Sequence, residues 1–161
     1  MRKISLVLLV LVSVAALALI GRGQPSSSQS TADEVIAITK AQWAAEMKDP
    51  TNVTEQMKNV ADDYTEFNGD YATRLEGKAM AVRLGEASGG SSIKTVAAEM
   101  ANQKVQMYGD VAILSYNYVG VTKDKDGKTE PGRAKSTRVY VKQGGKWMLV
   151  HANFGSDPLP K

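Results

Sequence analysis

No cysteine occurs in the 161 residues. Disulfides, thiolate zinc sites, iron–sulfur clusters, cysteine nucleophiles and a lipid-modified cysteine are therefore excluded. Histidine occurs once, as His151, so a multi-histidine metal centre within one chain is excluded as well. Net charge is also scarce. There are 20 Lys+Arg against 17 Asp+Glu, and the excess is carried by Arg2, Lys3 and Arg22. Residues 24–161 balance at 17 against 17. That removes the general basicity on which nucleic-acid binding rests, and nucleic acid is not an expected partner. What remains is length enough for one domain with a core, and too little for two ordinary ones.

The hydrophobic residues are unevenly placed. Residues 4–20 carry no charge and follow Met1-Arg2-Lys3. A positive start before an apolar run reads as a secretory signal over residues 1–23, with Ala16-Leu17-Ala18 as the small-residue cleavage site. The alternative is an uncleaved membrane anchor, since seventeen apolar residues sit at the short limit for spanning a bilayer. Both place the domain outside the cytoplasm, because the positive end stays inside. Residues 24–31 read as a flexible linker of Ser, Gln and Pro, and residues 32–157 as the domain.

Within the domain, helices come first. Thr31 with Glu34 makes a capping box, and Val35, Ile36, Ile38, Trp43, Ala44 and Met47 recur at helical spacing. Asp49-Pro50 closes that helix. Asn52 with Glu55 caps a second, expected to bury Val53, Met57, Val60 and Ala61. Asn68-Gly69 between β-prone runs predicts a tight hairpin. Ala79 to Ala87 predicts a third short helix, stopped by Gly89-Gly90-Ser91-Ser92. Four long strands then follow, at 93–107, 110–122, 133–143 and 146–155, joined by turns at Gly109, Gly127 and Gly144-Gly145. Helices followed by a strand meander define an α+β fold, with three helices packed in a curved antiparallel sheet.

Charge divides between the halves. Residues 24–110 hold 13 acids and 8 bases, and residues 111–161 hold 4 acids and 9 bases. Solvated loops with balance inside one chain explain this, and so does complementarity between subunits.

Strand periodicity puts Ser136, Arg138 and Tyr140 on one face. If that face is concave, Arg138 is a buried guanidinium and needs an anion. It is expected either to pair with Asp62, Asp63, Glu66 or Asp70, or to meet a ligand. Tyr116 and Tyr118 share a face and offer hydroxyls to an apolar wall, as core residues or as pocket residues. Trp43 and Tyr64 carry the same two readings, and Trp147 is expected to pack on the sheet. His151 alternates with Leu149 and Asn153, on the face away from Phe154, with a surface or subunit contact as its role. The Asn52-Val53-Thr54 sequon and the acid pairs Asp62-Asp63 and Asp124-Asp126 carry no specific chemistry, because neither pair has full calcium-loop spacing.

Ser136-Thr137-Arg138-Val139-Tyr140, followed by Gly144-Gly145-Lys146-Trp147-Met148-Leu149-Val150-His151, resembles the association domain of calcium/calmodulin-dependent protein kinase II. Asp110-Val111-Ala112 and Phe67 extend the likeness. That family lies among the nuclear transport factor 2-like, cystatin-like cones, which include ketosteroid isomerase and SnoaL-like proteins. The resemblance implies a cone whose open end forms a pocket with sheet arginines pointing inward. Arg138 stands at one such position, while Tyr118 and Phe154 stand where the family has others. Asn153 replaces a second histidine. The resemblance also implies self-association as a homodimer or larger homo-oligomer, a small organic ligand and no cofactor. The expected ligand-binding set is Arg138, Tyr118, Tyr116, Tyr64, Trp43 and Phe154, with no catalytic residue and no metal ligand. The alternative is an isomerase, cyclase or dehydratase acting on a small hydrophobic substrate, with Asp63, Glu66 or Asp70 as base.

Overall fold

A helix of 22 residues, α1 (Ser27–Lys48), opens the structure. The computed structural model describes residues 27–88 and 93–157. The leader, the start of the linker and the Gly89–Ser92 break fall outside the described residues. α1 begins four residues ahead of the expected Thr31 cap. Residues 27–30 contain no helix breaker, and Gln29 Nε2 donates to Asp33 Oδ1 at 3.0 Å across one turn. Val35, Thr39 and Trp43, four residues apart, form its buried stripe. Asp49 Oδ1 accepts from the Thr51 backbone N–H at 3.0 Å and from its hydroxyl at 2.7 Å, which turns the chain out of the helix.

The second helix is shorter than its periodicity predicts. α2 (Val53–Gln56) is capped by Asn52 Oδ1, which accepts from the Glu55 N–H at 3.2 Å. Val60 and Ala61 belong instead to β1 (Val60–Phe67). The reason lies far along the chain: Val60 pairs with Leu149, and the Leu149 N–H donates to the Asn59 carbonyl at 2.8 Å. A sheet partner overrides the local helical pattern.

The early hairpin also differs. β2 (Leu75–Glu76) pairs antiparallel with Thr65 and Glu66, so the connection is a loop over 68–74 and not a two-residue turn. Asn68 Oδ1 accepts from the Asp70 N–H at 3.1 Å, and the Asn68 carbonyl accepts from the Tyr71 N–H at 3.2 Å. This local Asx geometry displaces the expected turn, and Gly69 has no positive φ. Gly77, at φ 84°, then leads into α3 (Lys78–Ser88).

The four long strands are β3 (Lys94–Tyr108), β4 (Val111–Lys123), β5 (Thr129–Gln143) and β6 (Lys146–Ser156). The sheet order is β2-β1-β6-β5-β4-β3. Every neighbouring pair is antiparallel except β1 and β6, which run parallel, so the sheet is mixed. Register shifts interrupt the β1–β6, β3–β4 and β5–β6 pairings, and two of them bear on the inner face. One lies between Ala101 and Lys104, where Asn102 takes φ 52°. The other lies in β6, where Val139 faces His151 but Tyr140 faces Leu149. Such bulges increase twist and curl a sheet. The second also corrects the expected alternation: Leu149 is buried in the core with Ala152, while His151 stays on the opposite side.

The core lies between α1 and the inner face of the sheet. Val35 and Trp43 meet Ala112, Leu114, Tyr116, Tyr140, Trp147, Leu149 and Ala152. Leu114 is fully buried. Leu114→Ala is expected to cost about 2–5 kcal/mol, read as a lower denaturant midpoint in urea unfolding.

Candidate functional site

Strand periodicity aims one row of side chains at α1. On β4 these are Tyr116 and Tyr118, on β5 Ser136, Arg138 and Tyr140, and on β6 Ala152 and Phe154. Arg138 is 4% exposed. Its Nε donates to Tyr116 Oη at 2.9 Å, and its Nη1 donates to Gln42 Oε1 of α1 at 2.5 Å. The guanidinium carbon lies 5.4 Å from the Phe154 ring centroid, within cation–π range. None of the ion pairs among the described residues includes Arg138.

The acids expected to pair with Arg138 do not. Asp62 and Asp63 are exposed. Glu66 accepts from Tyr64 Oη at 2.6 Å and from Asn68 Nδ2 at 3.1 Å. Arg138 is thus a buried cation held by neutral groups. Tyr116, Gln42 and the nearby Tyr140 hydroxyl occupy part of a five-donor fork that stays protonated at any ordinary pH.

Beside it is a hollow of about 470 Å³. Trp43, Tyr116, Tyr118, Arg138 and Phe154 line it, five of the six residues expected from the sequence. Trp43 meets both tyrosines edge-on, at centroid distances of 5.6 Å and 5.4 Å. Tyr64 stands apart. It is buried and its hydroxyl is bound to Glu66. Burial foremost, then the charge of Glu66, pushes the Tyr64 pKa far above the usual phenol range.

The hollow also brings in Gln42, Glu46, Thr95 and Asp70, the first three not anticipated as site residues. Gln42 and Glu46 flank Trp43 on α1, one turn apart, and a helical wheel drawn from Trp43 would have shown them. Thr95 Oγ1 donates to Glu46 Oε1 at 3.3 Å. Although Glu46 is exposed as a residue, the protein around its carboxyl raises its pKa. The Thr95 hydrogen bond and the Arg138 charge act against that rise. Burial also raises Tyr118, reinforced by the Glu46 charge. Behind Tyr118, Gly120 leaves room for the ring: a Cβ there would lie 2.2 Å from Tyr118 Oη. The Ser136 hydroxyl is buried with no hydrogen-bond partner among the described residues.

His151 lies away from the hollow. Its Nδ1 is 2.8 Å from Thr65 Oγ1, and its ring meets Phe67 edge-on at 6.0 Å. Trp147 is buried in the core, with Lys142 Nζ 5.6 Å from its ring centroid.

A long helix seated in a curled sheet, with a hollow at one end of their interface, defines a cystatin-like, nuclear transport factor 2-like cone. A Salmonella enterica nuclear transport factor 2-like superfamily protein superposes with TM-score 0.68 at 14% identity, over 84% of this chain and 96% of that one. The association domain of C. elegans CaMKII gives 0.64 at 17%, over 80% and 98%. The S. rosetta CaMKII hub gives 0.64 at 22%, over 78% and 95%. The family model for the calcium/calmodulin dependent protein kinase II association domain matches residues 31–158, and the chain belongs to that family. No curated protein matches it.

Two substitutions test this geometry. Tyr116→Phe leaves a buried guanidinium donor without its acceptor and is expected to cost about 1–3 kcal/mol in urea unfolding. Gly120→Ala forces the Tyr118 ring out of its seat. Chemical-shift changes should concentrate on Tyr118, Trp43 and Thr95 while the fold persists.

Proposed function

We propose that the chain is a non-catalytic, self-associating cone domain, exported by its leader, that holds a small organic ligand at Arg138. The observation carrying the ligand half is the buried guanidinium, with neutral hydrogen-bond partners and no ion pair among the described residues, beside an open hollow. A charge out of water gains most from an anion placed against it. Tyrosines and a tryptophan around it supply the apolar wall with a few polar groups that small-molecule sites use.

Support for self-association comes from the hub and association domains the chain resembles, and from the outer face of the sheet. There Val111, Val141 and Met148 stand in one cross-strand row, and Ile113, Val139 and His151 in the next. Ser115, Thr137 and Asn153 form a third row. All but Asn153 are half-buried, and no helix covers them among the described residues. An apolar patch with a polar border is the usual anatomy of an interface. Light scattering of the purified exported protein at micromolar concentration is expected to give the mass of at least two chains, and Val139→Asp to give one. A wild-type monomer would remove the assembly half. Mass spectrometry of the same sample is expected to show a chain lacking the leader; an intact leader in the membrane fraction would favour the anchor.

A second reading, an enzyme of the ketosteroid-isomerase or SnoaL-like kind, gains one observation. Glu46 is a carboxylate with a raised pKa in the same hollow as Tyr118, the pairing that proton transfer next to a hydroxyl donor requires. Asp63 and Glu66 lack that placement. Turnover of a small enolisable ketone, lost in Glu46→Gln, would establish this reading in place of the first.

A further inference from the structure

We infer that the hollow is built for an amphoteric ligand: a small organic acid whose carboxylate meets Arg138 and whose far end carries an amine held by Glu46 and Asp70. The inference rests on Arg138 being the ligand anchor, and adds the second pole. Three charged side chains line the hollow, one cation and two acids. The cation is buried, whereas both acids are exposed. A ligand carrying only negative charge would satisfy Arg138 and be repelled by the other two. A ligand carrying only positive charge would leave the guanidinium without an anion.

Neither acid has a cation of its own, since no ion pair among the described residues includes Glu46 or Asp70. Glu46 accepts one hydrogen bond, from Thr95, and its second oxygen has no partner among the described residues. Asp70 engages Asn68 Oδ1 through its backbone N–H, and no hydrogen bond to its carboxylate occurs among the described residues. The rings of Trp43, Tyr118 and Phe154 share the lining with these charges, and rings suit a methylene chain better than a second charge. The walls thus combine a cation, apolar rings and two acids, the complement of an ω-amino acid.

The test is an NMR titration of the purified protein with ω-amino acids from β-alanine to ε-aminocaproate, each against the fatty acid of equal length. At the best-fitting length the amino acid is expected to bind about tenfold tighter than its fatty acid, the advantage of one charge-assisted contact. Glu46→Gln with Asp70→Asn should erase that difference and leave fatty-acid binding intact or stronger. Both residues are exposed, and the dispersion of the same NMR spectra reports that the double variant keeps its fold. Arg138→Gln should weaken both series. Fatty acids binding as well as amino acids at every length, with Arg138→Gln still weakening them, would overturn the amphoteric ligand and leave the anchor. Binding indifferent to Arg138→Gln, or none from either series, would overturn the anchor and this inference with it.

Discussion

A guanidinium removed from water governs the rest of this molecule. Arg138 belongs to β5, its acceptors Tyr116 and Gln42 to β4 and α1, and the ring above it, Phe154, to β6. One charge therefore ties three strands to the helix that crosses them. The tie is repeated deeper in the core, where Thr39 and Tyr140 hydroxyls lie 2.7 Å apart and Thr39 also donates to the Val35 carbonyl. The seat of α1 and the shape of the hollow are set by the same polar contacts. A purely apolar interface would leave the helix freer to rotate, because hydrophobic contact has no direction.

The period of a β-strand lets the sheet perform two tasks with one set of residues. Even-numbered positions of β4 and β5 face α1 and make the hollow. Odd-numbered positions make the outer rows. The β6 bulge is essential to this division, because without it Leu149 and Phe154 would fall on opposite sides. The shift near Val150 lets Trp147 and Leu149 fill the core while Ala152 and Phe154 remain on the inner face further along.

Much of this was legible in the sequence, and the rest was not for definite reasons. The four long strands follow from alternation punctuated by glycines, and Gly109, Gly127, Gly144 and Gly145 all take positive φ at their turns. Arg138, Tyr116 and Tyr118 could be set on one face from spacing alone. The α2–β1 boundary could not, because the pairing of Val60 with a residue 89 positions later leaves no trace in a local window. The Asn68 loop was misread because one side chain offers two competing local geometries, and only β2 pairing decides between them. Gln42 and Glu46 were overlooked as polar members of an amphipathic helix, which ordinarily face solvent; the curled sheet reaches far enough round α1 to bring both to the wall of the hollow.

The parallel contact between β1 and β6 has a consequence for how the chain reaches this form. A ribosome delivers β1 early and β6 last, so the middle of the sheet cannot close until nearly all of the polypeptide has emerged. Up to that moment Val60, Tyr64 and the backbone between them have no neighbour on one side. Long-range closure of this kind slows acquisition of the native state, and it makes the C-terminal strand the latch for the whole domain. Truncation within β6 would leave a chain with most of its secondary elements and no strand to join β1 to the rest of the sheet.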